Sequence, residues 1–451
     1  MFPSMLDCLF QRGEFASCSL LHQMLALFVA GLLISAVIVG LQFVSFGGTR
    51  KLYGVYSEPN AWFWLKFWLA RALVKLQRKR KAKSNEEYAG DVFRMSDADR
   101  LKRLPVGLME KIHELPADLP YAGDCIFFNG ANSEGFFFTF GFAQRQNSAA
   151  NLFCVLKVPN RGTFVNEELL QSSNVKTCST TREYRTESGF RVVCEKPMGR
   201  WRLRFDGMLV EAKNLKQNLK EVGEDDPPAN VRTFRTSFEF EWNAKGDFFN
   251  FETDVSPDMI ARSLALEPWS RQMFKKLEAK HQIHYEQFGQ LSGNLQIDDQ
   301  NFDVQLTSMR DHTIAPYRRW TDMRRYVMVM FHLKDGTCVN TTVVSIPEAV
   351  FSHLQFGYII EPEGNKVAIR ELNLRLPFIG EDKRFPPEFE YSFETENSHQ
   401  MYEVKVRVQE RLAFKMGLDL ACYIEELMCE FEVNGQKGYG LCEIEYRIRP
   451  Y

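Results

Sequence analysis

The chain has 451 residues, of which 45% are hydrophobic and 25% are charged, so it is long enough for two or three domains and too apolar for a disordered protein. Its formal net charge of −2 excludes the strongly basic composition of nucleic-acid-binding proteins, and we expect no nucleic-acid partner. The charge is unevenly distributed. Ten Lys or Arg and one Glu lie between residues 48 and 83, so a basic segment precedes an acidic body.

The first predicted element is a transmembrane helix over residues 25–46, which contain no Asp, Glu, Lys or Arg. At about 1.5 Å of rise each, these residues span a hydrocarbon core of about 30 Å. A buried core helix and a cleaved signal peptide are the alternatives. Since Lys and Arg mark the cytoplasmic flank, Arg50 and Lys51 predict a single-pass membrane protein. We expect its segment 1–24 to be extracytoplasmic and its C-terminal body to be cytosolic.

A basic amphipathic collar and helical connector is predicted over residues 47–118. Its Trp62, Trp64, Phe67 and Trp68 are suited to headgroup depth, and the cations at 78–83 are suited to anionic lipid. Membrane lipid is therefore an expected partner. The alternative is a helix that packs on the soluble body with a solvated charged end.

Alternating large and polar residues predict that the body is mainly β. Examples of this period-two pattern are Phe136–Phe142, Trp201–Asp206, Phe238–Trp242, Phe389–Phe393, Val404–Val408 and Cys442–Ile448. Such alternation is typical of half-exposed antiparallel strands. Ser256-Pro257 and Pro268 predict helix starts, so a helical linker over 256–280 is expected to separate two β domains, 119–255 and 281–451. Each domain is the size of one barrel or sandwich, with either a packed core or a lipid-sized pocket inside.

Several motif classes are absent from the sequence. It has no G-x-x-x-x-G-K-[ST], G-x-G-x-x-G, G-x-S-x-G or H-E-x-x-H motif, and its ten Cys show no paired zinc spacing. We expect no cofactor and no metal, and His281, His284 and Glu286 are only a weak metal-site candidate. The one N-x-[ST] sequon, at Asn340, and the cysteine spacing agree with a reduced cytosolic body.

The densest polar segment is 309–320, which contains Arg310, Asp311 and His312. One interpretation is that Asp311 orients His312 for proton transfer, so these two are the candidate catalytic residues. The other is a structural network in which Asp311 pairs with an Arg and His312 caps a loop. Adjacent strand residues point to opposite faces, and this favours the network.

The same region carries a family resemblance. The residues that carry it are His284-Tyr285-Glu286-Gln287, Gly289, Gly293, Arg310-Asp311-His312-Thr313, Trp320, Arg325-Tyr326 and Gly438-Tyr439-Gly440-x-x-Glu443. Residues 120–451 thereby resemble tandem lipocalin-like domains related to hydroxyneurosporene synthase (carotenoid 1,2-hydratase). In animals such domains are found between an N-terminal membrane helix and a phosphoenolpyruvate-synthase-like region.

The resemblance implies two lipocalin-like antiparallel barrels that bind an apolar small molecule, a lipid or isoprenoid. It also implies a ligand-binding or polar-network role for Arg310, Thr313, Trp320, Glu286 and Gln287. A hydratase or isomerase that uses Asp311 and His312 is the enzymatic alternative, although Thr313, Ala315 and Arg319 stand where the family has Ser, Gly and Asp. No phosphotransferase region follows the β module, so a third hypothesis is a regulatory module that partners a separate phosphotransferase chain.

Overall fold

The computed structural model describes residues 24, 27–32, 35, 49–166, 172–178, 180–212, 232–347, 350–398, 400–416 and 422–448. The predicted N-terminal segment 1–24 and transmembrane helix 25–46 lie mostly outside these residues. Within the described part of the chain, no helix combines the length and the apolarity needed to cross a membrane.

Helices lie before the first large sheet and between two of its strands. They are Phe63–Ala82 (α1), Asp97–Arg100 (α2), Val106–Met109 (α3), Pro257–Leu266 (α4) and Arg271–Ala279 (α5). Ser256 caps α4 as the sequence predicts, with Pro257 in its first turn. The sequence predicts that the second helix starts at Pro268. Helix α5 instead starts at Arg271, because the side chain of Ser270 caps it.

The first large sheet contains twelve strands. After the small pair Lys51–Leu52 (β1) and Tyr56–Ser57 (β2), they are Gly123–Ala131 (β3), Phe137–Gln144 (β4), Ala149–Val158 (β5), Gly162–Asn166 (β6), Ser172–Cys178 (β7), Glu183–Thr186 (β8), Phe190–Lys196 (β9), Arg200–Glu211 (β10), Thr233–Ala244 (β11), Phe249–Asn250 (β12), Ile283–Ile297 (β13) and Gln300–Ala315 (β14). The order of neighbouring strands is β11-β10-β9-β8-β7-β5-β4-β3-β14-β13-β12, and β6 pairs with β5 and β10. Strand β13 also pairs with β11.

The second sheet is a closed eight-stranded antiparallel barrel. Its strands are Arg325–Leu333 (β15), Cys338–Ile346 (β16), Phe351–Ile360 (β17), Lys366–Leu372 (β18), Glu388–Thr395 (β19), Met401–Met416 (β20), Cys422–Val433 (β21) and Gln436–Arg447 (β22). Each strand pairs with the next, and β15 pairs with β22 to close the barrel. The mainly β fold predicted by the sequence is therefore confirmed.

The strand pairing differs from the predicted division into 119–255 and 281–451. Strands β13 and β14 follow the helical linker, yet β13 pairs with β11 and β14 pairs with β3. The helices at 256–280 are thus an insertion between strands of one sheet. Periodicity alone does not distinguish such an insertion from a boundary, since it carries no information on which strands pair.

Aromatic side chains fill the interior of the first sheet. Phe138, Phe140 and Trp242 are each at most 1% exposed, and the Phe238 and Phe240 rings stack at 4.6 Å between centroids. The predicted alternation is correct for this face, and the interior is a packed core there. The opposite face of the neighbouring strand β5 is also buried, because it packs against the barrel: the rings of Phe153 in β5 and Phe414 in β20 lie 5.2 Å apart.

Candidate functional site

Two polar groups lie on opposite faces of the β13–β14 pair. In this antiparallel register Tyr285 lies opposite His312, and Glu286 lies opposite Asp311. Alternation along each strand sends one pair into the core of the first sheet and the other toward the barrel. The sequence predicts a strand at 302–307, followed by the polar segment 309–320 as a connection. In the structure β14 continues into this segment as far as Ala315.

The group in the core, called the inner network, consists of Glu110, Asp124, Tyr285, Arg310 and His312. The ring of His312 is fully buried and both of its nitrogens have partners. Nε2 lies 2.6 Å from Oδ1 of Asp124, and Nδ1 lies 2.7 Å from the hydroxyl of Tyr285. Both ring nitrogens of His312 are therefore engaged within the core.

Glu110 is the carboxylate that balances Arg310. Its Oε1 lies 2.9 Å from Nη1 of Arg310 and accepts a hydrogen bond of 2.7 Å from Tyr285, while Oε2 accepts one of 3.1 Å from Trp201 Nε1. The expected pairing of Asp311 with an Arg is therefore wrong at Arg310. The expectation that His312 caps a loop is also wrong, because His312 lies within β14.

Aromatic rings enclose the Arg310 guanidinium. Its central carbon lies 5.4 Å from the ring centre of Trp201, 5.1 Å from that of Trp242 and 5.7 Å from that of Tyr285. Nη2 donates a hydrogen bond of 2.9 Å to Oε1 of Gln287. Cation–π contacts and a charge-assisted pair thus replace the water that this cation loses on burial.

Opposite charges set the protonation states of the inner network. Burial disfavours the imidazolium of His312, but Asp124 and Glu110 outweigh this and raise its pKa to about 9. Burial likewise opposes ionisation of Glu110 and Asp124. Arg310 and His312 nevertheless hold the pKa of Glu110 well below the usual range, and His312 and His113 do the same for Asp124. Two cations therefore face two carboxylates, which is the arrangement of a structural network.

The second group, called the interface cluster, lies between the first sheet and the barrel and consists of His284, Glu286, Asp311, Glu426 and Glu443. On the sheet side, His284 Nδ1 lies 2.6 Å from the hydroxyl of Thr313, and its Nε2 lies 3.4 Å from Oε1 of Glu286. From the barrel, the Asn340 amide donates to Oε2 of Glu286. Polar groups of both sheets thus meet directly.

On the barrel side, Glu426 and Glu443 are directly opposite on neighbouring strands. Tyr326 donates its hydroxyl hydrogen to Glu443. No N–H or O–H donor of the described residues reaches either oxygen of Glu426, whose polar neighbour is the Glu443 carboxyl. Such a pair forms a hydrogen bond only when one member carries a proton.

Burial makes three carboxyls of the interface cluster hard to ionise. It raises the pKa of Glu426, Glu443 and Asp311 above their usual values, and each is raised further by a neighbouring carboxylate. For Glu443 that neighbour is Asp311, so the two sides of the interface interact. Burial and the close approach of the two carboxyls therefore both favour the protonated form in the Glu426–Glu443 pair.

The interface cluster is accessible from one end. Asp311, His284 and Met328 are partly exposed, whereas Glu426 is fully buried. The ring of Phe251 lies 4.2 Å from the ring of His284 and covers part of this opening, called the mouth.

The predicted site residues divide between the two groups. Gln287 and Arg310 face the core with His312, whereas Glu286 and Thr313 face the barrel with Asp311. The remaining candidate, Trp320, lies in a short 3-10 turn beneath the Arg318 guanidinium and belongs to neither group. Among the described residues, no cluster of three or more His, Cys, Asp or Glu is arranged to hold a metal ion.

Sequence reasoning missed Glu110, Asp124 and Glu426. Glu110 lies in the connector, outside any alternating strand, and Asp124 begins a strand next to apolar residues. In β22 the alternation predicts that Glu443 and Glu445 face solvent, whereas they are 7% and 0% exposed. That expectation is wrong because the outer face of the barrel is covered by the first sheet. The available signal was the Glu425-Glu426 pair within a mostly apolar strand.

Comparisons with known proteins give one family and several distant structures. The model of a family of unknown function (DUF8627) matches residues 32–446, and no curated protein matches the sequence. The structure is similar to AttH from Nitrosomonas europaea, at 12% identity and a TM-score of 0.44, over 74% of this chain and 96% of that one. It is also similar to CghA with Sch210972, at 10% identity and a TM-score of 0.40, over 73% of this chain and 89% of that one. A third similar structure is kievitone hydratase from Nectria haematococca, at 9% identity and a TM-score of 0.39, over 75% of this chain and 94% of that one.

Proposed function

The chain belongs to the family of unknown function DUF8627, and we propose that it binds an apolar small molecule, a lipid or isoprenoid, at the interface cluster and transfers a proton to it. In this proposal the two sheets are tandem lipocalin-like modules, and the ligand lies between them. The observation that carries the proposal is the buried pair Glu426–Glu443, whose carboxyls lie directly opposite each other and in which no donor of the described residues reaches Glu426. Because burial also raises the pKa of both carboxyls, we propose that they share a proton at neutral pH. A neutral carboxylic acid in an apolar site is a general acid.

Apolar side chains are packed in the same interface as this acid. Phe288, Met309, Met330 and Phe356 are all buried in the hydrophobic cluster that joins the two sheets. A charged or strongly polar ligand gains nothing from such walls, whereas a hydrocarbon chain with a double bond is compatible with them. Met side chains also adapt their shape to irregular ligands.

The proposed chemistry is a hydration or a double-bond shift. In a hydration, Glu443 gives its proton to one carbon of the double bond, and the oxygen of a water molecule adds to the other carbon. Asp311 accepts the proton that this water loses, so an alkene and one water become an alcohol. The proton on Asp311 then returns to the carboxyl pair. In an isomerisation Asp311 instead removes a proton from a neighbouring carbon.

The assignment changes the roles expected from the sequence. Asp311 remains a candidate catalytic residue, since it is partly exposed beside the carboxyl pair. Glu443 takes the acid role expected for His312, whose two nitrogens are already occupied in the inner network.

Deuterium exchange tests the proposal without knowledge of the product. The purified chain is incubated in heavy water with an unsaturated fatty acid, a sterol or a carotenoid, and native mass spectrometry identifies the ligand that binds. We expect deuterium in a carbon-bound position of that ligand. Replacing Glu443→Gln or Asp311→Asn should slow its incorporation by about 10²–10⁴-fold, the usual contribution of a general acid or base.

The matched control is Glu430→Gln, which makes the same change at an exposed residue of β21 and should leave the rate unchanged. A ligand that binds but incorporates no deuterium would show a carrier and would contradict the proton transfer. Failure of every apolar ligand to bind would contradict the proposal as a whole.

A further inference from the structure

Helix α1 presents a wide apolar face to its surroundings. Six large residues of this docking face are between 42% and 58% exposed: Trp64, Leu65, Trp68, Leu69, Leu73 and Leu76. We propose that the docking face lies on the surface of an anionic lipid bilayer, with its two Trp at headgroup depth. This differs from a spanning helix, since α1 keeps its other face on the protein.

The opposite face of α1 fixes the orientation of the helix. Phe63, Phe67 and Ala70 are buried in one hydrophobic cluster with residues of α4 and α5. Lys66 is fully buried and donates a hydrogen bond of 2.8 Å from Nζ to the carbonyl oxygen of Glu267. The sequence places Phe67 at headgroup depth, and the structure corrects this, because Phe67 is only 3% exposed.

Charge complementarity identifies the partner of the docking face as anionic lipid. Arg71, Lys75, Lys79 and Lys83 follow each other at intervals of four, so they form one row that borders the apolar face. Lys75, Lys79 and Lys83 are exposed, and the structure gives them no ion pair among the described residues. Exposed Trp with a row of cations beside it is the composition of interfacial helices.

A second copy of the chain is a less suitable occupant. Two docking faces placed together would bring their rows of cations close to each other, and like charges at an interface oppose association. The apolar run at 25–46 supports the bilayer instead, since it ends only 17 residues before Phe63.

Docking would also bring the mouth of the interface cluster near the bilayer. This part of the inference rests on the proposed function. Near the C-terminal end of α1, Lys81 Nζ lies 2.5 Å from Oε2 of Glu252. Glu252 follows Phe251, whose ring partly covers the mouth beside His284. A bilayer under the docking face therefore lies at the same end of the molecule as the mouth, so the ligand class becomes a lipid taken from that bilayer.

Quenching by brominated lipid tests the docking. The full chain is reconstituted with vesicles of brominated phosphatidylcholine, with or without phosphatidylserine, and its tryptophan fluorescence is measured. Trp201 and Trp242 are at most 1% exposed and stay unquenched. We expect phosphatidylserine to increase quenching, salt to reverse that increase, and the double variant Trp64→Phe/Trp68→Phe to lose most of it. The control Trp320→Phe should keep it.

Lysine-to-glutamine variants test the electrostatic contribution to docking. The triple change Lys75→Gln, Lys79→Gln and Lys83→Gln should remove the dependence on phosphatidylserine. The same change at three exposed lysines elsewhere should preserve it; they are Lys176, Lys405 and Lys437.

Two results would overturn the docking. One is quenching that is unchanged in the double Trp variant. The other is fluorescence from Trp64 and Trp68 that does not change when vesicles are added but shifts with protein concentration. That result would show that a second copy of the chain covers the docking face. Docking without deuterium incorporation would contradict the proposed function alone.

Discussion

Asp311 and His312 are consecutive residues of β14, and their side chains belong to two different polar groups on opposite faces of it. His312 forms a 2.6 Å contact with Asp124 inside the first sheet, while Asp311 faces the barrel. The two residues therefore do not act on one ligand. Substitutions in the inner network should therefore lower the stability of the fold, whereas substitutions in the interface cluster should affect proton transfer.

Removal of Glu110 should destabilise the fold strongly. Glu110→Ala leaves the buried guanidinium of Arg310 without its carboxylate, and we expect a loss of about 3–5 kcal/mol in the free energy of unfolding. Urea denaturation measures this loss. The control is Glu239→Ala, which breaks two surface ion pairs, with Arg202 and with Arg204, and should cost less than about 1 kcal/mol for each. Equal losses in the two variants would refute the structural role of the inner network.

Asp311→Asn should leave stability unchanged or raise it slightly. Burial and the neighbouring Glu286 raise the pKa of Asp311, so its ionised form is disfavoured in the folded state. The amide removes that cost while it keeps the shape of the side chain. Thermal melting at neutral pH measures the effect, and a clear fall in Tm would mean that Asp311 forms an ion pair that holds the interface together.

The charge on His312 predicts a loss of stability at alkaline pH. Its folded pKa of about 9 exceeds the ordinary value of about 6.5, so its stabilisation is complete below pH 6.5 and is lost as the pH rises through 9. NMR titration of the ring should show an imidazolium up to about pH 9. His281, whose pKa burial lowers to about 4, is the internal comparison. A His312 ring that is neutral at pH 7 would contradict this prediction.

Glu426→Gln should stabilise the protein more at high pH than at low pH. Burial raises the pKa of Glu426, so the contribution of this residue to stability is complete below its unfolded pKa of about 4.3 and is lost as the pH rises above it. Gln stays neutral, and the gain in unfolding free energy should therefore grow between about pH 5 and pH 8. With Glu430→Gln, which is exposed, the difference should not depend on pH. A gain that is constant with pH would argue against a protonated pair.

The sequence predicts one face of each strand well and the other face poorly. Alternation identifies the buried rings of Phe138 and Phe140, and it correctly separates Asp311 from His312. It does not report what covers the second face, so Glu443 is predicted to be exposed although the first sheet buries it. The partners of Arg310 and His312 were also hidden, because Glu110 and Asp124 are about 200 residues away in the chain and follow no spacing rule.

The burial of Asn340 leaves no room for a glycan on this residue in the folded protein. Its amide nitrogen, to which an N-linked glycan would be attached, donates to Glu286 between the two sheets, and the residue is fully buried. Because oligosaccharide transfer takes place on the emerging chain before folding is complete, a glycan at this sequon would keep the sheets apart. If the chain is directed into a secretory pathway and Asn340 is glycosylated, we expect unfolded product, which a mobility shift after glycosidase treatment would identify.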